Sequence, residues 1–233
     1  MNDIIPAILP RDYDDLKNKI ALVRGVVNIV QIDICDGSFV PSQSWPYTHG
    51  NIEADPHFNK ILNETEGLPF WEDLDFELDL MVSDSVKNFD IYTKLGAKRI
   101  VFHLCAVGNL QEFKDFLEGI DIYVRETIEI GVSIDVNENL ENLFPLINNI
   151  DFVQCMGIDR EGFQGEDFDE KVIDNVKALR EKFPDLIISI DGGVDFDSAP
   201  QLLGVGASRL VIGSAIFNST DIIGTIEEFR NIN

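Results

Sequence analysis

Short apolar runs rich in β-branched residues recur along the chain, separated by longer stretches in which apolar positions return every three or four residues. Runs such as RIVFHL and RLVIG are apolar on both faces, the pattern of parallel strands covered by helices. The pattern predicts strands over 4–9, 29–34, 76–82, 99–104, 129–135, 152–156, 186–191 and 209–212. Helices are predicted between them over 13–24, 58–65, 86–95, 110–124, 140–147, 171–183, 198–203 and 221–230. Eight strand–helix units fill the 233 residues with no Gly/Ser- or Pro-rich linker, so one domain over 1–233 is expected. Such repetition suits either an open doubly wound sheet or a closed barrel. The first strand is followed by LPRDYDD, which lacks the glycine-rich turn of a dinucleotide fold. The count of eight then favours an α/β, single-domain (β/α)8 TIM barrel.

Composition narrows the partners more than the fold. The hydrophobic share, 45%, is ordinary for a globular protein. No basic region followed by an apolar stretch opens the chain, and the apolar run over 20–34 is interrupted by Arg24, Asn28 and Gln31. A cytoplasmic protein without membrane spans is expected. Lys and Arg number 18 against 42 Asp and Glu, a net charge of −24. That charge repels nucleic acid and anionic membrane, so neither is expected as a partner. A small anionic substrate remains admissible, because backbone dipoles can hold a phosphate inside an acidic protein. The three cysteines, Cys35, Cys105 and Cys155, are too few and too dispersed for a disulfide scaffold and read as small buried hydrophobes.

In a barrel the site is built where strands end. Strand two ends in QIDICDGSFVPS, with Gln31, Asp33 and Asp36; strand three carries Asp79; strand four carries His103. Strand six runs into MGIDREGFQG, strand seven into Asp191-Gly192-Gly193, and strand eight into Gly213-Ser214. Asp33, Asp79 and Asp191 are single acids inside apolar strands, where a solvated charge has no place. Asp36 precedes Gly37 and is read as shaping a turn. The glycines after strands seven and eight can present backbone N–H groups to a phosphate. His103 is read either as a hydrogen-bond partner in the site or as a packed histidine, and His49 and His57 as surface residues. The long segment holding Phe39, Trp45 and Tyr47 is read as a cover over the pocket mouth, a subunit contact or a packed loop. Arg160, beside the strand-six loop, is read as a solvated arginine.

The segments IIPAIL, QIDICDGSFVPS, LDLMVSD, IVFHL, MGIDREGFQGEDF and the pair IDGGV and VIGSAIF, in this order, resemble the ribulose-phosphate 3-epimerase family over nearly the whole chain. That resemblance implies interconversion of ribulose 5-phosphate and xylulose 5-phosphate through an enediolate. It implies that Asp33 and Asp191 are the acid–base pair, that backbone at Gly162, Gly165, Gly192, Gly193, Gly213 and Ser214 holds phosphate, and that a divalent metal sits on two histidines and the two aspartates. A homo-oligomer is expected.

The chain departs from that pattern where the metal would sit. Gln31 and Asp79 stand where the family has its two histidines, Ala7 replaces a serine, and DREGFQGED lacks the family's proline. Three readings stay open. Gln31, Asp33, Asp79 and Asp191 could hold a hard ion, Mg²⁺ or Mn²⁺ rather than Zn²⁺. Alternatively no metal binds, Gln31 donates to substrate oxygens and one carboxyl carries a proton. Or the sugar-phosphate pocket serves binding without that chemistry. A lyase or decarboxylase of the same barrel group is the rival enzyme class; it would favour a lysine beside Asp33, where Cys35 stands.

Overall fold

A computed structural model of the chain describes residues 2–159, 161–163 and 165–232, apart from the side chain of Glu53; Arg160 lies outside the described residues. Among the described residues eight strands are present: β1 (Asp3–Ile8), β2 (Ile29–Cys35), β3 (Asp75–Met81), β4 (Arg99–His103), β5 (Glu129–Ile134), β6 (Phe152–Met156), β7 (Ile187–Asp191) and β8 (Arg209–Ile212). They pair in parallel in sequence order and close into a barrel, with β8 returning to β1 through Asp3↔Arg209 to Pro6↔Ile212. The fold is thus the predicted single-domain (β/α)8 barrel. The register of β2 on β3 sets Asp33 directly beside Asp79, and β7 runs beside β6 with Asp191 opposite Met156.

The helices are α1 (Tyr13–Val23), α2 (Pro56–Leu62), α3 (Phe89–Thr93), α4 (Leu110–Gly119), α5 (Ile122–Arg125), α6 (Lys171–Lys182), α7 (Ala199–Gly204), α8 (Ser214–Phe217) and α9 (Ile222–Arg230). Side-chain caps start several of them: Asp12 accepts from Asp15 N ahead of α1, Asn109 from Gln111 N and Glu112 N ahead of α4, and Asp221 from Gly224 N ahead of α9. The predicted helix over 110–124 is divided at Ile120, with Asp121 capping the second piece. The one expected over 140–147 is two 3-10 segments, Leu140–Asn142 and Phe144–Asn149. Pro145 lacks the N–H that would continue an α-helix across that junction. The four-residue α8 was not expected.

Among the described residues the buried apolar side chains fall into three clusters, one of them Cys35, Val40 and Met81. The main core fills the space between strands and helices, while Ile5, Ala7, Ile29 and Val211 form a separate small cluster. The strands begin in charge. Arg99, first residue of β4, reaches Glu129 of β5 at 2.8 Å and the buried Glu77 of β3 at 3.4 Å. Arg209, first residue of β8, lies 3.5 Å from Glu129 and 3.6 Å from Asp3. Burial pushes Glu77 up to about 7 even though both arginines pull it down. This end of the barrel is built for stability, which leaves the opposite rim for chemistry. Among the described residues no helix is long and apolar enough to cross a membrane.

Candidate active site

At the C-terminal ends of β2, β3 and β7 the structure gathers Asp33, Asp79 and Asp191, with carboxylate oxygens within 4.8 Å of one another. Gln31 lies behind them, wholly buried. Its Nε2 donates to Asp33 Oδ1 at 2.9 Å and to Asp191 Oδ2 at 2.7 Å, so one amide ties two carboxylates together. The amide nitrogen, not the carbonyl, faces the acids; Gln31 Oε1 is buried without a hydrogen-bond partner among the described residues. Asp79 Oδ1 is 2.8 Å from His103 Nε2, and its Oδ2 is likewise buried and unpartnered. Of the two readings of His103, it is thus both: fully buried and hydrogen-bonded to a site carboxylate.

The electrostatics follow from crowding three acids in a dry place. Burial, and then the neighbouring Asp79, raises Asp33 to about 7, against the opposing hydrogen bond from Gln31. Burial, then Asp33 and Asp79, raises Asp191 well above the ordinary carboxylate range. Burial would lower the His103 imidazole, but Asp79 and Glu161 outweigh it and raise it well above 6.5. Such a centre keeps a proton at neutral pH or takes a cation. The three carboxylates, with the unpartnered Asp79 Oδ2 among them, form an oxygen-only donor set that fits a hard divalent ion.

A pocket opens over these acids. It is lined by Asp33, Asp79 and Asp191, by Gly162, Gly165, Gly192, Gly193, Gly213 and Ser214, and by the apolar Met81 and Met156. All six expected phosphate-side residues therefore share one cavity with the acids. Glycine is required at two of them. Gly192 and Gly193 have φ of +94° and +65°, and a Cβ on Gly193 would meet the Phe168 backbone at 2.7 Å. The turn that lines the pocket here therefore leaves no room for side chains at these two positions.

The segment after β2 is pinned rather than loose. Ser44 Oγ donates to the Asp33 carbonyl at 2.6 Å and accepts from Cys35 N at 2.8 Å, which fixes the end of β2. Trp45 is fully buried against Tyr13 and Phe58, and Tyr47 shares a hydrogen bond with Tyr92. Phe39 tilts over His103 with ring centroids 5.6 Å apart, at the edge of the site. Asp36 accepts from Ser38 N, Phe39 N and Ser83 N, the turn-shaping role expected of it. His49 is exposed, whereas His57 is half-buried, stacked on Tyr13 and paired with Glu66. Cys35 and Cys155 are buried free thiols, but Cys105 is exposed and does not fit the reading as a small buried hydrophobe. The 3-10 turn Leu104–Ala106 after β4 carries it out to the rim, where Sγ lies 3.3 Å from Asp135 Oδ1.

Several residues near the site escape the sequence pattern. Gln154 on β6 reaches Asp191 Oδ2 at 3.5 Å, and Glu161 Oε2 stands 3.1 Å from His103 Nδ1. A hint for Gln154 was available, since it is a lone polar residue in an apolar strand. None was available for Glu161, which lies in a polar loop.

Comparison with known proteins bears on the family and the fold. The model of the "Ribulose-phosphate 3 epimerase family" matches residues 3–217. A ribulose-phosphate 3-epimerase of Bacillus subtilis is 26% identical over 236 residues, covering 99% of both chains. One from Eremothecium gossypii is 29% identical over 224 residues, covering 94% of this chain and 87% of its own. Among solved structures, KGPDC from Streptococcus mutans superposes with a TM-score of 0.68 at 15% identity, over 100% of this chain and 99% of that one. The 3-hexulose-6-phosphate synthase of Salmonella typhimurium gives 0.66 at 14% identity, over 99% and 97%. At such identity these two establish the shared fold.

Proposed function

This chain belongs to the ribulose-phosphate 3 epimerase family, and from that premise we propose that it epimerises a phosphorylated ketopentose, ribulose 5-phosphate to xylulose 5-phosphate, with Asp33 and Asp191 exchanging the proton. The observation that carries the reading is the bridge from Gln31 Nε2 to both carboxylates, at 2.9 and 2.7 Å, at the floor of a pocket with a glycine-backbone wall.

Inversion at a carbon beside a carbonyl requires a base on one face and an acid on the other. Two ionised carboxylates would supply two bases and no acid. Here burial and mutual repulsion hold one proton on the pair near neutral pH, so one carboxylate can accept while its partner donates. When the carbon has been inverted the roles have swapped, and the return reaction starts from the mirror state. Gln31 gives both of its N–H bonds to the two carboxylates and keeps them at fixed separation. Backbone at Gly165, Gly193, Gly213 and Ser214 would take the phosphate, and Met81 and Met156 would shield the reacting carbon from water. Asp33, Asp79 and Asp191 are the residues that would hold a hard divalent ion; when bound, it would supply positive charge to the enediolate oxygens. A lyase or decarboxylase reading has less support, because among the described residues lining the pocket none is a lysine.

The test is turnover of ribulose 5-phosphate by the purified protein and by D33N and D191N, followed by NMR. Each variant should lose roughly 10²–10⁴-fold in rate while still binding the sugar phosphate. Wild-type-like turnover in either variant would sink the assignment of the pair.

A further inference from the structure

We propose that His103, Cys105, Asp135 and Glu161 form a second metal site, separate from the three aspartates, that takes a borderline divalent ion of the zinc class. Three consecutive strand ends build it. His103 closes β4, Cys105 sits in the 3-10 turn that follows, Asp135 follows directly after β5, and Glu161 lies in the loop after β6. One ligand atom from each lies within 4.8 Å of all the others. His103 Nδ1 is 3.1 Å from Glu161 Oε2, and Cys105 Sγ is 3.3 Å from Asp135 Oδ1. A tetrahedron drawn around an ion at zinc bond lengths of roughly 2.0–2.3 Å has edges of roughly 3.3–3.8 Å, so the four groups need little movement to close on one.

The polar bookkeeping of the cluster points the same way. Among the described residues the fully buried His103 Nδ1, 3.1 Å from Glu161 Oε2, has no hydrogen-bond partner that satisfies it, and neither has the buried Glu161 Oε1. Buried polar atoms left in this state call for a ligand. The other imidazole nitrogen is already committed, since Nε2 lies 2.8 Å from Asp79 Oδ1. Asp79 and Glu161 favour the protonated ring while no ion is bound; an ion would displace the Nδ1 proton and leave Nε2–H on Asp79. A carboxylate fixing a metal-binding histidine through its second nitrogen is a recurrent outer-shell arrangement. Access is also provided: a surface groove lined by Cys105, Asp135, Asp159 and Glu161, with Phe39 and Phe163 at its sides, leads to the cluster. One nitrogen, one sulfur and two carboxylate oxygens suit zinc or cobalt better than the magnesium-like ion that the three aspartates would prefer. Binding would release the His103 Nδ1 proton and the Cys105 thiol proton to solvent and form the metal–nitrogen and metal–sulfur bonds, with no redox change. Asp79 then touches both centres, orienting His103 on one side and facing Asp33 and Asp191 on the other. The inference does not depend on the epimerase reading.

The experiment is titration of the full-length, metal-stripped protein with Co²⁺, read by absorption, followed by displacement with Zn²⁺. One equivalent should bind with thiolate-to-cobalt charge transfer, and Zn²⁺ should remove the band. Cys105→Ser should abolish the band; Glu161→Gln should weaken binding at least ~10-fold. Asp33→Asn should leave the band in place. A wild-type cobalt complex without thiolate charge transfer overturns the proposal, as does absence of stoichiometric binding. So does loss of binding in Asp33→Asn with retention in Cys105→Ser, which would put the ion at the three aspartates.

Discussion

Replacing Asp33 by Asn should make this protein more stable while removing its proposed activity. Asp33 is 7% exposed and shares its centre with Asp79 and Asp191. Burial and repulsion raise its carboxyl from 3.8 to about 7. A carboxyl with a raised folded-state pKa contributes no penalty at low pH, where both states are protonated. As pH climbs past 3.8 the unfolded chain releases the proton and the folded one does not, so stability falls until pH passes about 7 and then levels. The full shift corresponds to about 4 kcal/mol, of which ~2.5 kcal/mol is lost between pH 5 and pH 8. Asn keeps the shape and can still accept from Gln31 Nε2, but it carries no charge. Urea unfolding of wild type and D33N across that range, without divalent ions, should show a gap in favour of D33N that widens by ~2.5 kcal/mol. Excess Mg²⁺ or Mn²⁺ should narrow it, because an ion held by Asp33 stabilises only the wild type. A D33N protein that is less stable at pH 8, or a gap that does not change with pH, refutes the picture of a strained acidic centre.

Arg99→Met strips the buried Glu77 of its nearer guanidinium, 3.4 Å away, and should cost roughly 3–5 kcal/mol at pH 8 in urea unfolding. The loss should shrink below pH 7, because Glu77, already raised to about 7, takes up a proton there. Gly193→Ala combines a φ of +65° with a Cβ 2.7 Å from the Phe168 backbone. It should raise KM for the sugar phosphate roughly tenfold or more, a strain of about 1–3 kcal/mol falling on the phosphate turn. Gly96→Ala, with φ +75° and no atom within 4 Å of the added Cβ, is the control: stability should fall slightly and KM should not change.

The barrel is legible because its strands are apolar on both faces and recur eight times, a pattern with few structural solutions. The helices were less so: Pro145 and the break at Ile120 interrupt stretches whose apolar spacing reads as continuous. Asp33, Asp79 and Asp191 stand out for the same reason as the strands, each being an acid where the surrounding pattern demands burial. Glu77 carries that signal too, two residues before Asp79 on the same strand face, and its partners Arg99 and Arg209 pass for ordinary polar strand starts. The His103–Cys105–Asp135–Glu161 cluster shows why spacing has limits. Its members come from three separate strand ends, which the parallel pairing of β4, β5 and β6 sets side by side. Gln31 is visible in sequence as a departure from the family, but its role as a bridge between two carboxylates depends on a register no linear pattern contains.

The central claim, proton exchange by the Asp33–Asp191 pair, is tested most directly by incubating the protein with ribulose 5-phosphate in D₂O and following the carbon beside the carbonyl by NMR. Deuterium should enter at that carbon in both epimers, and D191N should suppress the exchange. Binding of the sugar phosphate with no deuterium incorporation, in the presence or absence of Mg²⁺, Mn²⁺ or Zn²⁺, would contradict the account.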